Sequence, residues 1–106
     1  MAVIAVDCGG TNLVYGCFDP EGRGEPAGVQ PTPRLAAAIP AAVISAVAPL
    51  LGAGVRAIGI GSAGLVDRAS GTLAWSPHAS GEAVALGPEV AAATGLPVVV
   101  DNDANL

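Results

Sequence analysis

Two short apolar runs near the start of the chain, separated by a glycine-rich segment, constrain its fold more than any other feature. Residues Ala2–Val6 and Leu13–Phe18 have the length and composition of β-strands, and the sequence DCGGTN (Asp7–Asn12) lies between them. The adjacent glycines permit a sharp reversal of the chain. We therefore expect a tight antiparallel hairpin with Asp7–Asn12 at its tip.

The rest of the sequence predicts an α/β fold in a single domain of 106 residues. We expect a weak strand over 25–30, a helix over about 35–52, a strand over 56–61, an irregular loop over about 62–80, a helix over 88–94 and a strand over 96–100. Early antiparallel strands followed by strands linked through helices predict a mixed β-sheet with flanking helices. The continuous apolar run of the last strand is typical of a strand buried on both faces.

Composition and charge exclude several classes of protein. Hydrophobic residues make up 52% of the chain and charged residues 12%, which argues against disorder. The net charge is −5, and the four basic residues are scattered rather than clustered. A nucleic-acid surface needs a basic patch or stripe, so we expect no nucleic-acid partner.

We also expect no membrane span and a cytoplasmic location. Residues 35–55 carry no charge, but Pro40 and Pro49 interrupt them, and their larger apolar side chains recur at helical intervals that mark one buried face. The first residues lack the basic region of a secretory signal. Cys8 and Cys17 would lie roughly 13 Å apart along the hairpin, which is too far for a disulfide. We therefore expect two free thiols, as is usual in proteins of a reducing compartment.

The hairpin tip carries groups suited to a phosphorylated ligand. Asp7 ends an apolar strand, where a charge is costly unless it meets a metal, water or a donor. Thr11 offers a hydroxyl, and the N–H groups of Gly10 to Asn12 can form an anion-binding nest. A carboxylate beside a nest is what Mg²⁺ with a triphosphate requires. The alternative is a purely structural turn in which Gly9 and Gly10 supply positive φ; we favour phosphate binding.

A second polar segment, Asp101-Asn102-Asp103, follows the last apolar strand directly. It has a plain interpretation as a solvated turn or a helix N-cap. However, open α/β sheets bind ligands at the carboxyl ends of their strands. There a carboxylate can accept the proton of an attacking hydroxyl, and an asparagine can hydrogen-bond a neighbouring one.

Together these segments identify a family resemblance. DCGGTN (7–12) paired with GLPVVVDNDAN (95–105) resembles the ROK family of sugar kinases and sugar-sensing repressors, within the actin-like, ribonuclease-H-like ATPase superfamily. Further similar segments are GCFD (16–19), TPR (32–34) and GIGSAGLVD (59–67). The resemblance covers essentially the whole chain. It implies a glucokinase-like enzyme that uses ATP and Mg²⁺ to phosphorylate a hydroxyl of a hexose or N-acetylhexosamine.

The resemblance also implies roles for individual residues. Asp103 would be the general base on the sugar hydroxyl, Asn102 would hydrogen-bond sugar hydroxyls, and Gly64 would lie against the sugar ring. The residues that would approach the ATP phosphates and Mg²⁺ are Asp7, which would contact the metal, Gly9, Gly10, Thr11 and, through the nest, Asn12.

Departures from the family pattern lie in the sugar region. Kinases of this family usually have proline where this chain has Ala63, and often carry an Asn-x-Pro where WSP (75–77) stands here. Trp75 either stacks on a sugar face or closes the core beneath its loop, and we favour the core. Ser76, His78 and Ser80 are candidate sugar contacts, although we expect His78 to be an ordinary exposed loop residue.

The resemblance implies that residues 1–106 form only the N-terminal lobe, with the second lobe absent and negligible activity alone. We expect a homo-oligomer or association through the face that the missing lobe leaves open. One alternative is the sensor lobe of a repressor, although Met1 directly precedes the first strand and leaves no place for a DNA-reading segment. Others are a non-catalytic assembly domain, or a nuclease whose metals bind Asp7, Asp101 and Asp103.

Overall fold

The computed structural model describes residues 2–52 and 54–102. The strands are β1 (Ala2–Cys8), β2 (Asn12–Phe18), β3 (Gly24–Pro31), β4 (Val55–Ser62), β5 (Leu65–Asp67), β6 (Thr72–Trp75) and β7 (Val98–Asn102). The α-helices are α1 (Ile39–Val47) and α2 (Leu86–Thr94), and short 3₁₀ turns flank α1 at Ala36–Ala38 and Ala48–Leu50.

The main sheet of the described residues has five strands in the order β3-β2-β1-β4-β7. β2 runs antiparallel to β1 and β3, whereas β4 runs parallel to β1 and β7. The predicted α/β class and mixed sheet are therefore confirmed. In register, Cys8 pairs with Ser62 and Ser62 with Asn102, so three strands end side by side. The tip of the β1–β2 hairpin lies at the same edge.

Both helices pack on one face of the sheet. Ile4 of β1, Ile60 of β4 and Val100 of β7 alternate toward that face, and they are fully buried against Val43 of α1 and Val90 of α2. This alternation is what a half-buried strand requires. The core is thus a single layer between the sheet and the helices.

The opposite face is not covered by any described element. Small residues, Ala5, Gly16 and Gly59, lie at its centre, and Phe18 lies beside them. Val99 is 48% exposed, so the expectation that the last strand is buried on both faces was wrong. An apolar run in a strand does not itself show that both faces have partners.

The single helix expected over 35–52 is interrupted, so that α1 spans only Ile39–Val47 between two 3₁₀ turns. Pro40 occupies the first turn of α1, where proline is tolerated, and Pro49 falls in the 3₁₀ turn that follows. Among residues 2–52 and 54–102, no helix has the length and apolar character needed to cross a bilayer.

Residues 62–80 are more regular than expected. They contain a small antiparallel sheet in which β5 pairs with β6. Leu73 of β6 is fully buried and ties this sheet to the core. α2 begins before the expected Pro88 and ends, as expected, at Gly95, whose φ of 74° forms a left-handed C-cap.

Candidate functional site

The tip of the β1–β2 hairpin is fixed by the residue that follows β3. The Thr32 hydroxyl donates a 2.8 Å hydrogen bond to the carbonyl oxygen of Gly9. The Thr32 N–H donates to the carbonyl oxygen of Thr11 at 2.9 Å, and the Gly9 N–H donates to that of Asn12 at 3.1 Å. The tip is therefore held from two sides. This role of Thr32 was not predicted from the sequence. The position of Thr32, directly after a strand that ends at this edge of the sheet, is the signal that could have indicated it.

Gly10 packs closely against a side chain and does not have an unusual backbone conformation. Neither Gly9 nor Gly10 has a positive φ. A Cβ atom placed on Gly10 would lie only 2.6 Å from Nε2 of His78, because the imidazole lies directly on this glycine. The structural explanation of the glycine pair as a left-handed turn was therefore wrong.

Asp7 extends from the uncovered face of the sheet. Its side chain is exposed, so the desolvation cost expected at the end of an apolar strand does not arise. Asp7 pairs with Gly61, which pairs with Asp101, so the two aspartates share one face with a glycine between them. Asp101 forms an ion pair with Arg68 (Nε–Oδ2 3.6 Å) and accepts a 2.8 Å hydrogen bond from the N–H of Asn102.

The structure brings together Gly64, Ser76 and Asn102, the three residues expected to contact a sugar. Nδ2 of Asn102 donates a 2.6 Å hydrogen bond to the carbonyl oxygen of Gly64. Gly64 has a φ of 105°, and a Cβ atom there would meet the carbonyl oxygen of Trp75 and lie 2.9 Å from Cα of Ser76. The Ser76 hydroxyl accepts a 3.2 Å hydrogen bond from the N–H of His78.

Trp75 ends β6 and His78 lies in the loop that follows; the exposure of Trp75 differs from expectation and that of His78 does not. Trp75 is 57% exposed, so the interpretation that it closes the core was wrong. Leu73, two residues earlier, is the buried residue of this strand. His78 is exposed as expected, yet its ring lies on Gly10 of the hairpin tip, and its backbone N–H donates to Ser76, which belongs to the cluster with Gly64 and Asn102.

The predicted base, Asp103, lies outside the described residues, as does most of the DNDAN segment. Within 2–52 and 54–102, no three His, Cys, Asp or Glu side chains gather as they would around a protein-held metal ion. The carboxylate of Asp7 and the hydroxyl of Thr11 remain as exposed oxygen ligands beside the hairpin tip. Such a sparse set suits a metal that arrives with phosphate oxygens.

Cys8 is an inert thiol beneath the site. Burial raises the pKa of Cys8 to about 11, a hydrogen bond with Ser62 acts in the opposite direction, and the charge of Asp7 adds a further rise. Cys8 and Cys17 are both free thiols, as predicted. Because the thiolate is the reactive form, Cys8 is unsuited to nucleophilic chemistry near neutral pH.

This shift predicts a loss of stability in alkali. Below about pH 9 the thiol is protonated in both the folded and unfolded states, whereas between about pH 9 and 11 only the unfolded state ionises, so the free energy of unfolding falls. We expect the fall to reach roughly 2–3 kcal/mol. Urea unfolding from pH 7 to 11 should show a smaller decline in Cys8→Ala than in wild type. Cys17→Ala is the control, and equal declines in all three proteins would contradict the prediction.

Known proteins with similar sequences and structures fall in one family. The sequence pattern of the ROK family matches residues 3–106. A glucokinase of Streptomyces coelicolor is 42% identical over 103 residues. The crystal structure of a ROK family glucokinase from Streptomyces griseus, in complex with glucose and AMPPNP, superposes with a TM-score of 0.88 at 40% identity. A ROK family transcriptional regulator, a homologue of the E. coli MLC protein, superposes with a TM-score of 0.82 at 26% identity.

The similarity covers nearly all of this chain and a minor part of each relative. The alignment with the S. coelicolor glucokinase includes 96% of this chain and 32% of that enzyme. For the S. griseus glucokinase the shares are 99% of this chain and 34% of the enzyme, and for the regulator they are 96% of this chain and 28% of the regulator. The chain thus spans about a third of the length of the relatives that it matches.

Proposed function

The chain belongs to the ROK family, and we propose that it forms the N-terminal lobe of an ATP-dependent sugar kinase of the glucokinase type. One observation carries the proposal. At the carboxyl edge of the sheet, His78 lies on Gly10 of the hairpin, and its N–H binds Ser76 of the cluster that includes Gly64 and Asn102. The tip that we propose binds phosphate and the residues that we propose contact the sugar therefore lie side by side, as transfer between two substrates requires.

In this proposal the hairpin tip holds the phosphates of ATP. The phosphate oxygens accept hydrogen bonds from the backbone N–H groups of Gly10 to Asn12, in a tip whose conformation Thr32 fixes. Asp7 and Thr11 provide the oxygen ligands, direct or through water, for an accompanying Mg²⁺. When bound, Mg²⁺ supplies neutralisation of the negative charge that develops on the phosphate oxygens.

The sugar lies against Gly64, where a side chain would collide with the loop after β6. Asn102 and Ser76 orient the sugar through hydrogen bonds to its hydroxyls. Asp103 accepts the proton of the attacking hydroxyl as its oxygen forms a bond to the γ-phosphorus and ADP departs. A hexose or an N-acetylhexosamine fits this description equally well.

We further propose that residues 1–106 are one lobe of this cytoplasmic enzyme and that catalysis needs the second lobe. Two lobes closing over the substrates exclude water and align the reacting groups, which a single sheet edge cannot do. The chain alone should give no sugar-dependent ADP release in a coupled assay. The protein with both lobes should release ADP when glucose or another hexose is added.

The two halves of this test fail independently. Ordinary turnover by the isolated chain would contradict the need for a second lobe. No sugar-dependent ADP release from the two-lobe protein, with a panel of hexoses and N-acetylhexosamines, would contradict the kinase assignment itself.

The likeness to a transcriptional regulator supports a second candidate, the sugar-sensing lobe of a repressor. Sugar binding without ADP release would favour it.

The uncovered apolar face of the sheet supports association of this chain with further protein. A concavity of about 330 Å³ lies on that face, lined by Ala5, Val14, Gly16 and Phe18 among others. We propose no nucleic-acid contact for this lobe itself, since its net charge is −5.

A further inference from the structure

Two adjoining concavities lie beside the hairpin tip, on the side of β3. The first, of about 400 Å³, is lined by Thr11, Thr32, Arg34 and His78, with Gly10 and Pro31. The second, also of about 400 Å³, extends along the loop from Trp75 to Ser80 and again includes Arg34 and His78. Arg34 and His78 therefore lie where the two concavities meet. We call the two concavities together the Arg34–His78 groove.

Arg34 is placed to bind an anion. The chain has four basic residues, all arginines, against nine acidic ones. Arg68 pairs with Asp101, but in the described part of the chain no carboxylate lies within ion-pair distance of Arg34. Its neighbours in the first concavity are hydroxyl groups and an imidazole rather than acids. A guanidinium beside hydrogen-bond donors is the usual recognition unit for phosphate.

The walls of the groove are fixed by backbone hydrogen bonds. The N–H of Ser80 donates to the carbonyl oxygen of Arg34 at 2.8 Å, and the N–H of Ala36 donates to that of Ser80 at 2.8 Å. Thr32, two residues before Arg34, is bonded to the hairpin tip. The segments that carry Arg34, His78 and the tip are thus tied together before any ligand arrives, which lowers the entropy lost on binding.

The second concavity offers a surface for a sugar. Trp75 is 57% exposed and is one of the lining residues, and Ser76 and Ser80 add polar groups. An amphipathic ring flanked by hydroxyls suits a ligand with apolar and polar faces. Next to the anion-binding half, this arrangement fits a ligand with both a phosphate group and a sugar ring.

We propose that the Arg34–His78 groove binds a sugar phosphate monoester, with the phosphate group contacting Arg34, Thr11 and His78 and the sugar against Trp75. The identification of the sugar half rests on the proposed kinase function, for which a phosphorylated sugar is the product. Bound there, the product stays in contact with Gly10 and Thr11 of the hairpin and competes with the entry of the next ATP.

Calorimetric titration of the chain tests this without ATP or turnover. The probes are glucose 6-phosphate, inorganic phosphate and glucose, in a phosphate-free buffer. We expect glucose 6-phosphate to bind more tightly than either of the others. Arg34→Ala should weaken its binding about tenfold, the effect of losing one charge-assisted hydrogen bond. Arg23→Ala removes the same charge from the exposed turn after β2 and should leave binding unchanged.

A second variant tests the sugar half separately. Trp75→Ala should reduce binding of glucose 6-phosphate to the level of inorganic phosphate and leave inorganic phosphate unaffected. Circular dichroism of each variant checks that it is folded. The proposal is overturned if glucose 6-phosphate does not bind, if it binds no more tightly than inorganic phosphate, or if Arg34→Ala and Arg23→Ala have equal effects.

These outcomes are separate from those of the kinase test. Specific binding of glucose 6-phosphate by a protein that never releases ADP would support the groove and contradict the kinase. Sugar-dependent ADP release from the two-lobe protein, with no Arg34-dependent binding of glucose 6-phosphate, would support the kinase and overturn the groove.

Discussion

Replacing Asp103 by asparagine in the two-lobe protein is expected to reduce phosphoryl transfer about a thousandfold while sugar affinity stays nearly unchanged. Asparagine keeps the size and polarity of the side chain but cannot accept the proton of the attacking hydroxyl. The sugar would still meet Gly64, Ser76 and Asn102, which the structure brings together. Steady-state ADP release gives the rate, and calorimetric titration with glucose gives the affinity.

Asp101→Asn is the matched control, because it makes the same chemical change two residues earlier. Asp101 shares the uncovered face of the sheet with Asp7 and is ion-paired with Arg68, which is largely exposed. Partly exposed ion pairs contribute little, so this variant should retain most of its turnover. Full turnover by Asp103→Asn would remove Asp103 from the role of base. An equal loss in both variants would indicate a general electrostatic effect instead.

Replacing Gly64 by alanine should be among the most destabilising single changes in this lobe. Its φ of 105° is a conformation that side-chain-bearing residues rarely adopt, and the new Cβ would collide with backbone atoms of Trp75 and Ser76. Strain and overpacking together should lower the free energy of unfolding by roughly 3 kcal/mol. Urea unfolding measured by circular dichroism would show the lower midpoint.

Gly22→Ala separates backbone strain from collision. Gly22 also has a positive φ, 81°, but no atom lies within 4 Å of the position of an added Cβ. Only the conformational cost applies there, about 1 kcal/mol. Equal midpoints for Gly64→Ala and Gly22→Ala would show that the loop after β6 moves aside without cost, and that Gly64 is not needed for packing.

The strands of the sheet were predicted well because most of them are marked by a short apolar run in the sequence. The apolar runs on either side of Asp7–Asn12 gave the hairpin, and Gly95 marked the end of α2. The apolar run before Asp101 placed β7, at whose end the structure positions Asn102 against Gly64. Side chains at strand ends share an edge whenever the strands are parallel neighbours, so this part of the site followed from topology.

Errors arose where burial depends on partners distant in sequence. Trp75 was expected in the core, but Leu73 is the buried residue of β6 and Trp75 is exposed. Val99 was expected to be buried because its strand is wholly apolar, yet no described element covers that face. Nothing local to Gly10 indicates that His78, far along the chain, lies on it. The two halves of the site were therefore predicted from the sequence, and His78 was named only as an exposed loop residue and candidate sugar contact, not as the residue that packs on the hairpin tip.

The parallel pairing of β1 with β4 affects how this fold forms. Residue 2 pairs with residue 55, so the central strand finds its second neighbour only after β2, β3 and α1 have been synthesised. The β1–β2–β3 meander can form early from local contacts, whereas closing the long connection to β4 is slow. Until β4 arrives, β1 presents an unpaired apolar edge of the kind that recruits other chains. The yield of folded protein should therefore depend on the time between the synthesis of β1 and that of β4. A chaperone that covers the unpaired edge of β1 during this time should raise the yield.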